Sequence, residues 1–402
     1  MSELASRIRA LSRRVEQLER APWPSAAAER ATLSASVVPD LFLMACDPGA
    51  PSHQYVLKFS GRAWSLVADS TNLLPIGAGI FGMDITPVGG FGRKLGASHW
   101  VSGGGTNDIT AWRSDDDGIT WAIKASYDNF ADSPHGLPVT RDAAGNIWWA
   151  EREASDLFRI KKSTDDGDSS STFYTAGDTT ESMYHAAAHP TKANVIAFAG
   201  LKQGGATSPT VIWVTTNGGS SWTRTELNPS QGPLTDSTAL LFTDTGVLLY
   251  ATWDVSGASE IMRVYSASSP YSSFAETDLL TANVTVFAGP FMASSRNPQF
   301  LGATWSDGTV RGHVWRRTSG AWTELTAPFA AGIVLFGLCY NGTNLYALGY
   351  DPTNADSILV AKAENAGRGS VTWTDITAAV NAATGDPWSL SALAASMIWE
   401  GA

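Results

Sequence analysis

Short runs of apolar or alternating residues, separated by turn residues, follow one another along most of the chain. One unit contains GIFGMDIT, KLGASHWVS, DITAWRS and GITWAIK, and the same order of four runs recurs twice further on, in residues 183–226 and 239–278. Alternation over runs of this length indicates β-strands, and four such runs in succession are typical of a four-stranded antiparallel blade.

The repeat length predicts the number of blades. One aromatic residue occupies the same place in every unit, about 50 residues apart, which indicates roughly seven units. These residues are Trp64, Trp121, Phe173, Trp222, Phe274, Trp322 and Trp373. We therefore predict an all-β fold, a β-propeller of about seven four-stranded antiparallel blades occupying residues 41–402.

The first unit has no innermost strand. Its run LFLMA aligns with the second strands of other units, and nothing suitable precedes it. The last segment of the chain, WSLSALAASMIW, resembles the innermost strands instead. We expect residues 388–399 to complete the first blade and so to close the ring, which would remove open sheet edges.

The N-terminal 21 residues have a different periodicity. Leucines occupy heptad position d and β-branched residues position a, as expected of a short coiled-coil helix. The seam consists of Leu4, Ile8, Leu11, Val15 and Leu18. Residues 22–40 form a linker after Pro22 and Pro24, which end the helix. The alternative is an amphipathic helix that packs on the propeller of its own chain.

Part of this seam resembles the trimer-specifying pattern of parallel coiled coils. Arg14 stands at position g and Glu19 at position e, around Val15 and Leu18. The resemblance implies a homotrimer in which Arg14 pairs with Glu19 of a neighbouring helix. Three heptads are marginally stable alone, so other contacts would have to support the trimer.

Composition and charge exclude several classes of function. The 402 residues are 44% hydrophobic and 16% charged, with a net charge of −11, which argues against nucleic acid or an anionic membrane as partner. No run is long enough to insert into a membrane, and the N-terminus lacks the apolar segment of a signal peptide. Cys46 and Cys339 lie in apolar runs and indicate reduced core thiols. We predict no metal site and no cofactor.

An octad recurs at the end of the third strand, as SDDDGITW, STDDGDSS and TTNGGSSW. It resembles the Asp-box, S/T-x-D/N-x-G-x-S/T-W, of sialidases, sortilin-type receptors and several glycoside hydrolases. The resemblance implies a structural hairpin turn away from any active face. The matching residues are Ser114, Asp116, Gly118, Thr120, Trp121, Ser163, Asp165, Gly167, Thr215, Asn217, Gly219, Ser221 and Trp222.

A ligand site is expected on the opposite face, where the loops between second and third strands are richer in polar and aromatic residues. Aromatic rings beside carboxylates suit sugars, whose C–H faces stack on rings while their hydroxyls need acceptors. The candidate ligand residues are Asp47, Arg152, Trp253, Asp254, Trp305, Asp307, Tyr350 and Asp351. The alternative is that the aromatics pack between blades and the aspartates cap turns.

Two enzymatic interpretations follow from the same residues. Phe158-Arg159-Ile160 resembles the start of the sialidase F/Y-R-I-P motif, but Lys161 replaces the proline and the repeat itself accounts for the tripeptide as part of a third strand. A glycoside hydrolase would instead need two carboxylates across the mouth, for which Glu151, Glu153 and Asp254 are candidates.

The architecture as a whole resembles the tail-fibre and minor tail proteins of bacteriophages, in which an N-terminal coiled coil fixes a trimer and docks it to the virion. The resemblance implies a virion tail protein that is made without a signal peptide, contacts other tail proteins through its helix and binds a host-surface glycan without cleaving it. A depolymerase, or a decoration protein without a ligand, is the alternative.

Overall fold

Antiparallel strands account for almost all of the secondary structure in the computed structural model. The structure describes residues 41–46, 54–59, 63–69, 80–87, 94–101, 107–116, 119–127, 138–152, 157–202, 209–227, 238–256, 259–294, 297–353, 357–384 and 391–399. The chain divides between Asp40 and Leu41, and all of these residues belong to the second unit. The predicted coiled coil and linker lie outside them.

The strands of the first four blades follow the predicted order. The first blade contains β1 (Leu41–Cys46), β2 (Gln54–Phe59) and β3 (Trp64–Asp69). The second contains β4 (Ile80–Pro87), β5 (Lys94–Val101), β6 (Asn107–Ser114) and β7 (Ala122–Tyr127). The third contains β8 (Val139–Arg141), β9 (Ile147–Arg152), β10 (Phe158–Ser163) and β11 (Ser171–Thr175). The fourth contains β12 (Glu181–Ala188), β13 (Ile196–Lys202), β14 (Thr210–Thr215) and β15 (Thr223–Leu227).

One long strand is shared by the next two blades. The fifth blade contains β16 (Thr238–Phe242), β17 (Leu248–Ser256), β18 (Ser259–Ala267) and the first part of β19 (Ala275–Ala293). The second part of β19 begins the sixth blade and pairs with β20 (Gln299–Ser306), which is followed by β21 (Val310–Thr318) and β22 (Ala321–Glu324). The repeat pattern did not predict that these strands would be continuous.

The seventh blade ends in a helix that the sequence analysis did not predict. It contains β23 (Val334–Tyr340), β24 (Leu345–Asp351), β25 (Ser357–Ala363) and β26 (Trp373–Asp375). The helix α1 (Thr377–Thr384) follows, and Asp375 accepts a hydrogen bond from the Thr377 N–H at 2.8 Å. Val380 of α1 is fully buried among residues of the first and seventh blades. No helix of the described residues is long and apolar enough to cross a membrane.

The C-terminal strand β27 (Ser391–Trp399) pairs with β1, from Leu41 opposite Trp399 to Cys46 opposite Ser391. This pairing agrees with the prediction that the last segment supplies the missing innermost strand of the first blade. First strands of successive blades contact one another in the order β4, β8, β12, β16, β19 and β23, and β27 contacts both β4 and β23. The seven blades therefore form a β-propeller.

The core lies between blades rather than at one centre. Each described cluster of buried apolar residues joins two neighbouring blades, from the third and fourth to the seventh and first. Trp148, Trp213, Trp253, Tyr250 and Tyr346 are among the largest fully buried side chains. Cys339 is buried in the last of these clusters, and burial raises the pKa of its thiol. The side chain of Cys46 is outside the described set.

The three octads share one hydrogen-bonded turn. In each, the first hydroxyl donates to the third side chain, from Ser114 to Asp116 at 2.9 Å, from Ser163 to Asp165 at 2.8 Å and from Thr215 to Asn217 at 3.0 Å. The third side chain in turn accepts the N–H of the seventh residue, at 2.8 to 3.0 Å. Gly118 lies outside the described residues.

Glycine is required in the third octad for two reasons. Gly219 has a φ of +89°, where an L side chain is strained, and a Cβ there would lie 2.5 Å from Phe173 of the preceding blade. Trp222 packs in the same interface, with its ring centroid 6.3 Å from that of Trp148. The octad turns therefore belong to the contacts between blades.

Arg113 links the octads of the second and third blades. It is 6% exposed, its Nε lies 3.0 Å from Asp115 of its own octad, and its Nη1 lies 2.9 Å from Asp168 and donates to the Asp166 carbonyl. Burial alone would lower the pKa of Arg113, but the hydrogen bonds from the guanidinium to Asp168 and Asp115 raise it. Arg316 makes a similar bridge to the carbonyls of Ala366 and Gly369 in the seventh blade.

We predict that Arg113→Ala lowers the free energy of unfolding by about 1–2 kcal/mol, since charged hydrogen bonds are lost but the partner carboxylates can hydrate. Arg113→Lys should recover only part of this, because an ammonium lacks the planar fork. Arg311→Ala, which removes an exposed arginine from another third strand, is the matched control. Urea unfolding measures all three, and equal midpoints for Arg113→Ala and Arg311→Ala would refute the bridge.

The octads also predict a dependence of stability on acid. Hydrogen bonds from the Ser169 hydroxyl and N–H, and from Ser163, lower the pKa of Asp165 to about 2. An unfolded aspartate titrates near pH 3.9, so the ionised form stabilises the fold above about pH 4, and this stability is lost as the pH falls toward 2.

Asp165→Asn should therefore flatten the fall in melting temperature between about pH 4 and pH 2. The fold at pH 7 should tolerate the change, because Asn217 makes the same turn with its Nδ2 donating to Ser221 at 2.8 Å. The reciprocal variant Asn217→Asp should acquire an acid dependence. Thermal melts across this pH range test both, and parallel curves for the native chain and Asp165→Asn would contradict the prediction.

Candidate functional site

The candidate face lies at the ends of the second strands, opposite the octads. Asp47 and Glu153 follow β1 and β9 and lie outside the described residues. The backbone of Arg152 ends β9, but its side chain is not described. The remaining candidates, Trp253, Asp254, Trp305, Asp307, Tyr350 and Asp351, can be placed.

Trp253 and Asp254 do not share a surface. They are successive residues of β17, and successive side chains of a strand point to opposite faces of the sheet. Tyr250, on the same face as Asp254, donates to Thr210 of the fourth blade at 3.0 Å, whereas the ring of Trp253 lies 5.8 Å from that of Trp305 in the sixth blade. The expected ring-and-carboxylate pair is therefore split between two interfaces, and so is Tyr350-Asp351 in β24.

The candidate tryptophans are packed between blades. Trp253 is 0% exposed, so no face of its ring is open to a sugar. Trp305 is 6% exposed and stacks on His313, with ring centroids 3.5 Å apart, and on Trp315 at 5.2 Å. Both tryptophans serve the interblade core, which was the alternative interpretation of the sequence.

The other candidates lie in or beside turns. Asp351 accepts hydrogen bonds from the N–H and hydroxyl of Thr353, at 2.9 and 2.6 Å, and so caps the turn after β24. The ring of Tyr350 lies 6.0 Å from that of Phe336. Asp307 is exposed in the turn between β20 and β21 and remains accessible to a ligand.

Buried carboxylates paired with cations recur in three successive blades. Glu151 accepts from the Trp149 indole at 3.1 Å and pairs with Lys161 at 3.1 Å, so both of its oxygens are engaged. Glu181, at the start of β12, pairs through one oxygen with two nitrogens of Arg224, each at 2.7 Å. Sequence reasoning missed Glu181, because its partner lies 43 residues away and no local motif joins them.

Asp254 differs from these carboxylates. Its Oδ2 accepts from Arg263 at 3.1 Å, and Arg263 also pairs with Glu276 at 2.7 Å. Its Oδ1 is buried and has no hydrogen-bond partner among the described residues. Tyr265 lies near this group, and burial raises the pKa of its hydroxyl. A buried carboxylate oxygen without a donor costs free energy, and because this oxygen has almost no exposed surface, a ligand cannot reach it in this structure.

The histidines do not assemble a catalytic group within the described residues. His189 is buried beside Phe242, its Nδ1 accepts the Thr191 N–H at 3.2 Å, and burial followed by the charge of Lys192 lowers its pKa. His185 is half-buried in β12, and His135 lies outside the described part of the chain. No described group of three His, Cys, Asp or Glu residues could hold a metal ion.

The sialidase-like tripeptide lies in a regular strand. Phe158, Arg159 and Ile160 begin β10, the third strand of its blade, where they pair with β9 and β11. Arg141 is exposed, with its Nε 3.5 Å from the Gly145 carbonyl of its own turn. A sialidase needs three arginines that converge on the substrate carboxylate. The sequence offers Arg93, Arg141 and Arg152 for this role, but Arg93 and the side chain of Arg152 lie outside the described part of the chain.

No protein-family model matches the sequence, and no curated protein matches it. Among solved structures, the chain is similar to an ulvan lyase of the polysaccharide lyase family PL25 bound to -[GlcA(1-4)Rha3S]-, with a TM-score of 0.50 and 11% identity over 82% of this chain and 90% of the lyase.

Two further structures resemble the chain in fold. A puromycin-hydrolysing peptidase from Mycobacterium tuberculosis gives a TM-score of 0.50 and 13% identity, over 83% of this chain and 50% of the peptidase. The β-propeller domain of the Trilobed protease from Pyrococcus furiosus gives 0.45 and 9%, over 72% of this chain and 83% of that domain. At these identities the similarity concerns the fold alone.

Proposed function

We propose that this propeller binds a glycan without cleaving it, on the face where the second strands end. The observation that carries the proposal is the exposed carboxylate of Asp307, which lies on that face in the turn between β20 and β21. A sugar hydroxyl can donate a hydrogen bond to this carboxylate, since hydroxyls both donate and accept hydrogen bonds. The similarity of fold to an ulvan lyase is compatible with a carbohydrate ligand.

A binding function is favoured over hydrolysis by the contacts of Glu151, which is the one candidate for the second carboxylate whose side chain the structure describes. Hydrolysis requires two available carboxyl groups, one as acid and one as base or nucleophile. Glu151 has both oxygens engaged by Trp149 and Lys161, so it cannot approach a glycosidic bond without breaking an ion pair. The octads, although they resemble the Asp-box of sialidases, contribute turns between blades rather than catalytic groups.

We further propose that the protein is a homotrimeric component of a bacteriophage tail. The heptad seam of residues 1–21 supports the trimer, and the combination of a short coiled coil with a propeller supports the virion location by its resemblance to tail fibres. Three weak sites on one assembly would give avidity for a repetitive envelope polysaccharide.

The glycan proposal predicts retention without shortening. The full-length protein is passed over a panel of immobilised bacterial envelope polysaccharides, and reducing ends are measured in the same samples. We expect at least one polysaccharide to retain the protein with no increase in reducing ends. Released ends would establish a depolymerase instead, and a panel that retains nothing would favour a decoration protein.

The trimer proposal predicts a change of mass. Removal of residues 1–21 should convert a trimer into a monomer of about one third the mass, measured by light scattering coupled to size exclusion, because the seam supplies the association. Arg14→Lys should weaken the trimer less than the deletion does. Equal masses for the deleted and full-length chains would eliminate the coiled-coil trimer.

A further inference from the structure

A cavity of about 440 Å³ lies where α1 meets the first and seventh blades. Small-molecule sites in proteins have volumes of about 300–1,000 Å³, so this cavity is large enough for a small ligand. It is open to solvent, because Ala63 of the first blade and Ala379 and Ala382 of α1 line it and are exposed. A ligand can therefore enter without any rearrangement of the blades.

One wall of the cavity consists of small side chains of α1. Ala379, Ala382 and Ala383 are three and four residues apart, so they lie on one face of the helix. Val380 of the same helix is fully buried between the first and seventh blades and anchors α1 there. The helix is therefore fixed in place, while its alanine face leaves the space beside it open.

A second wall is aromatic. Phe59 of β2 and Trp64 of β3 are cross-strand partners, with ring centroids 5.3 Å apart. Phe59 also lies 6.3 Å from the ring of Tyr346 in the seventh blade, so the wall is packed against both blades. Together with the alanines, these rings favour a ligand with an apolar body, because its surface is removed from water when it contacts them.

Among the described residues that line the cavity, Lys362 alone is charged. Its Nζ lies 2.8 Å from Glu364, whose side chain is 68% exposed. An ion pair with so exposed a partner is weak, and an ammonium has further N–H donors. An anionic group of a ligand can therefore pair with Lys362 beside Glu364, or in its place.

From the apolar walls and the single ammonium we infer that this cavity binds a small amphipathic carboxylate. The apolar body contacts the alanine and aromatic walls, and the carboxylate pairs with Lys362. A neutral ligand lacks this pairing, and the ammonium repels a cationic one. Phe59 and Trp64 flank the turn between the third and fourth strands of the first blade, which is where the octads lie in other blades. The cavity is therefore separate from the face proposed for glycan binding.

Octanoate, octanol and octylammonium test the inference on the full-length protein, because they share one apolar chain and differ in charge. Isothermal titration should show saturable binding of octanoate, about three- to tenfold tighter than that of octanol, and still weaker binding of octylammonium. Equal affinities for the three compounds, or no binding of octanoate, would overturn the inference.

Two pairs of variants locate the site. Ala383→Leu fills part of the cavity and should weaken octanoate binding about tenfold, whereas Ala378→Leu makes the same change at an exposed position of α1 that does not line the cavity. Lys362→Gln should weaken octanoate binding about three- to tenfold and leave octanol binding unchanged. Lys192→Gln removes the same charge from an exposed position of the fourth blade and is its control.

Thermal melts of the four variants establish that each is folded. Octanoate binding that neither Ala383→Leu nor Lys362→Gln weakens would show that the ligand binds elsewhere and would refute the inference. Both variants should retain any polysaccharide that the native chain retains, because the two sites are separate. Failure of the polysaccharide panel would refute glycan binding and leave this inference standing.

Discussion

The packing of one blade against the next is the constraint on which the rest of this structure depends. A single four-stranded sheet buries little, and here the described apolar clusters all lie between neighbouring blades. Burial of a large apolar side chain contributes about 1.5–3 kcal/mol. Large aromatic residues in the second strands of the third to seventh blades therefore set both the spacing of these blades and the positions of the strand ends.

This constraint also explains the polar groups that accompany the octads. A turn at the edge of a blade exposes backbone donors, which the third side chain of the octad satisfies locally. Arg113 and Arg316 then join such turns to the following blade, where apolar packing ends. The side chains of the octad therefore stabilise the turn within a blade, and residues beside it contact the next blade, so its role in this structure is structural.

The repeat predicted the blade order, the phase of the strands and the role of the last segment, because these follow from local alternation and from an equal number of strands per blade. It could not predict α1 or the continuity of β19, since both depend on how two blades meet. Trp253 and Asp254 show the same limit for the candidate site. Because they are adjacent in sequence we predicted a shared surface, but successive side chains of a strand point to opposite faces of the sheet. The pairing of Glu181 with Arg224 could not be predicted either, because only the fold brings these two residues together.

The same packing determines where an unsatisfied charge can be retained. Between blades, a carboxylate is tolerated when a cation from the third or fourth strand reaches it, as Lys161 reaches Glu151 and Arg224 reaches Glu181. Only one oxygen of Asp254 is paired with a cation, because Arg263 divides its donors between Asp254 and Glu276. A second cation beside Asp254 would have paired its other oxygen as well. Its absence among the described neighbours leaves Oδ1 of Asp254 buried without a donor, and the apolar packing of the interface offsets the free energy that this costs.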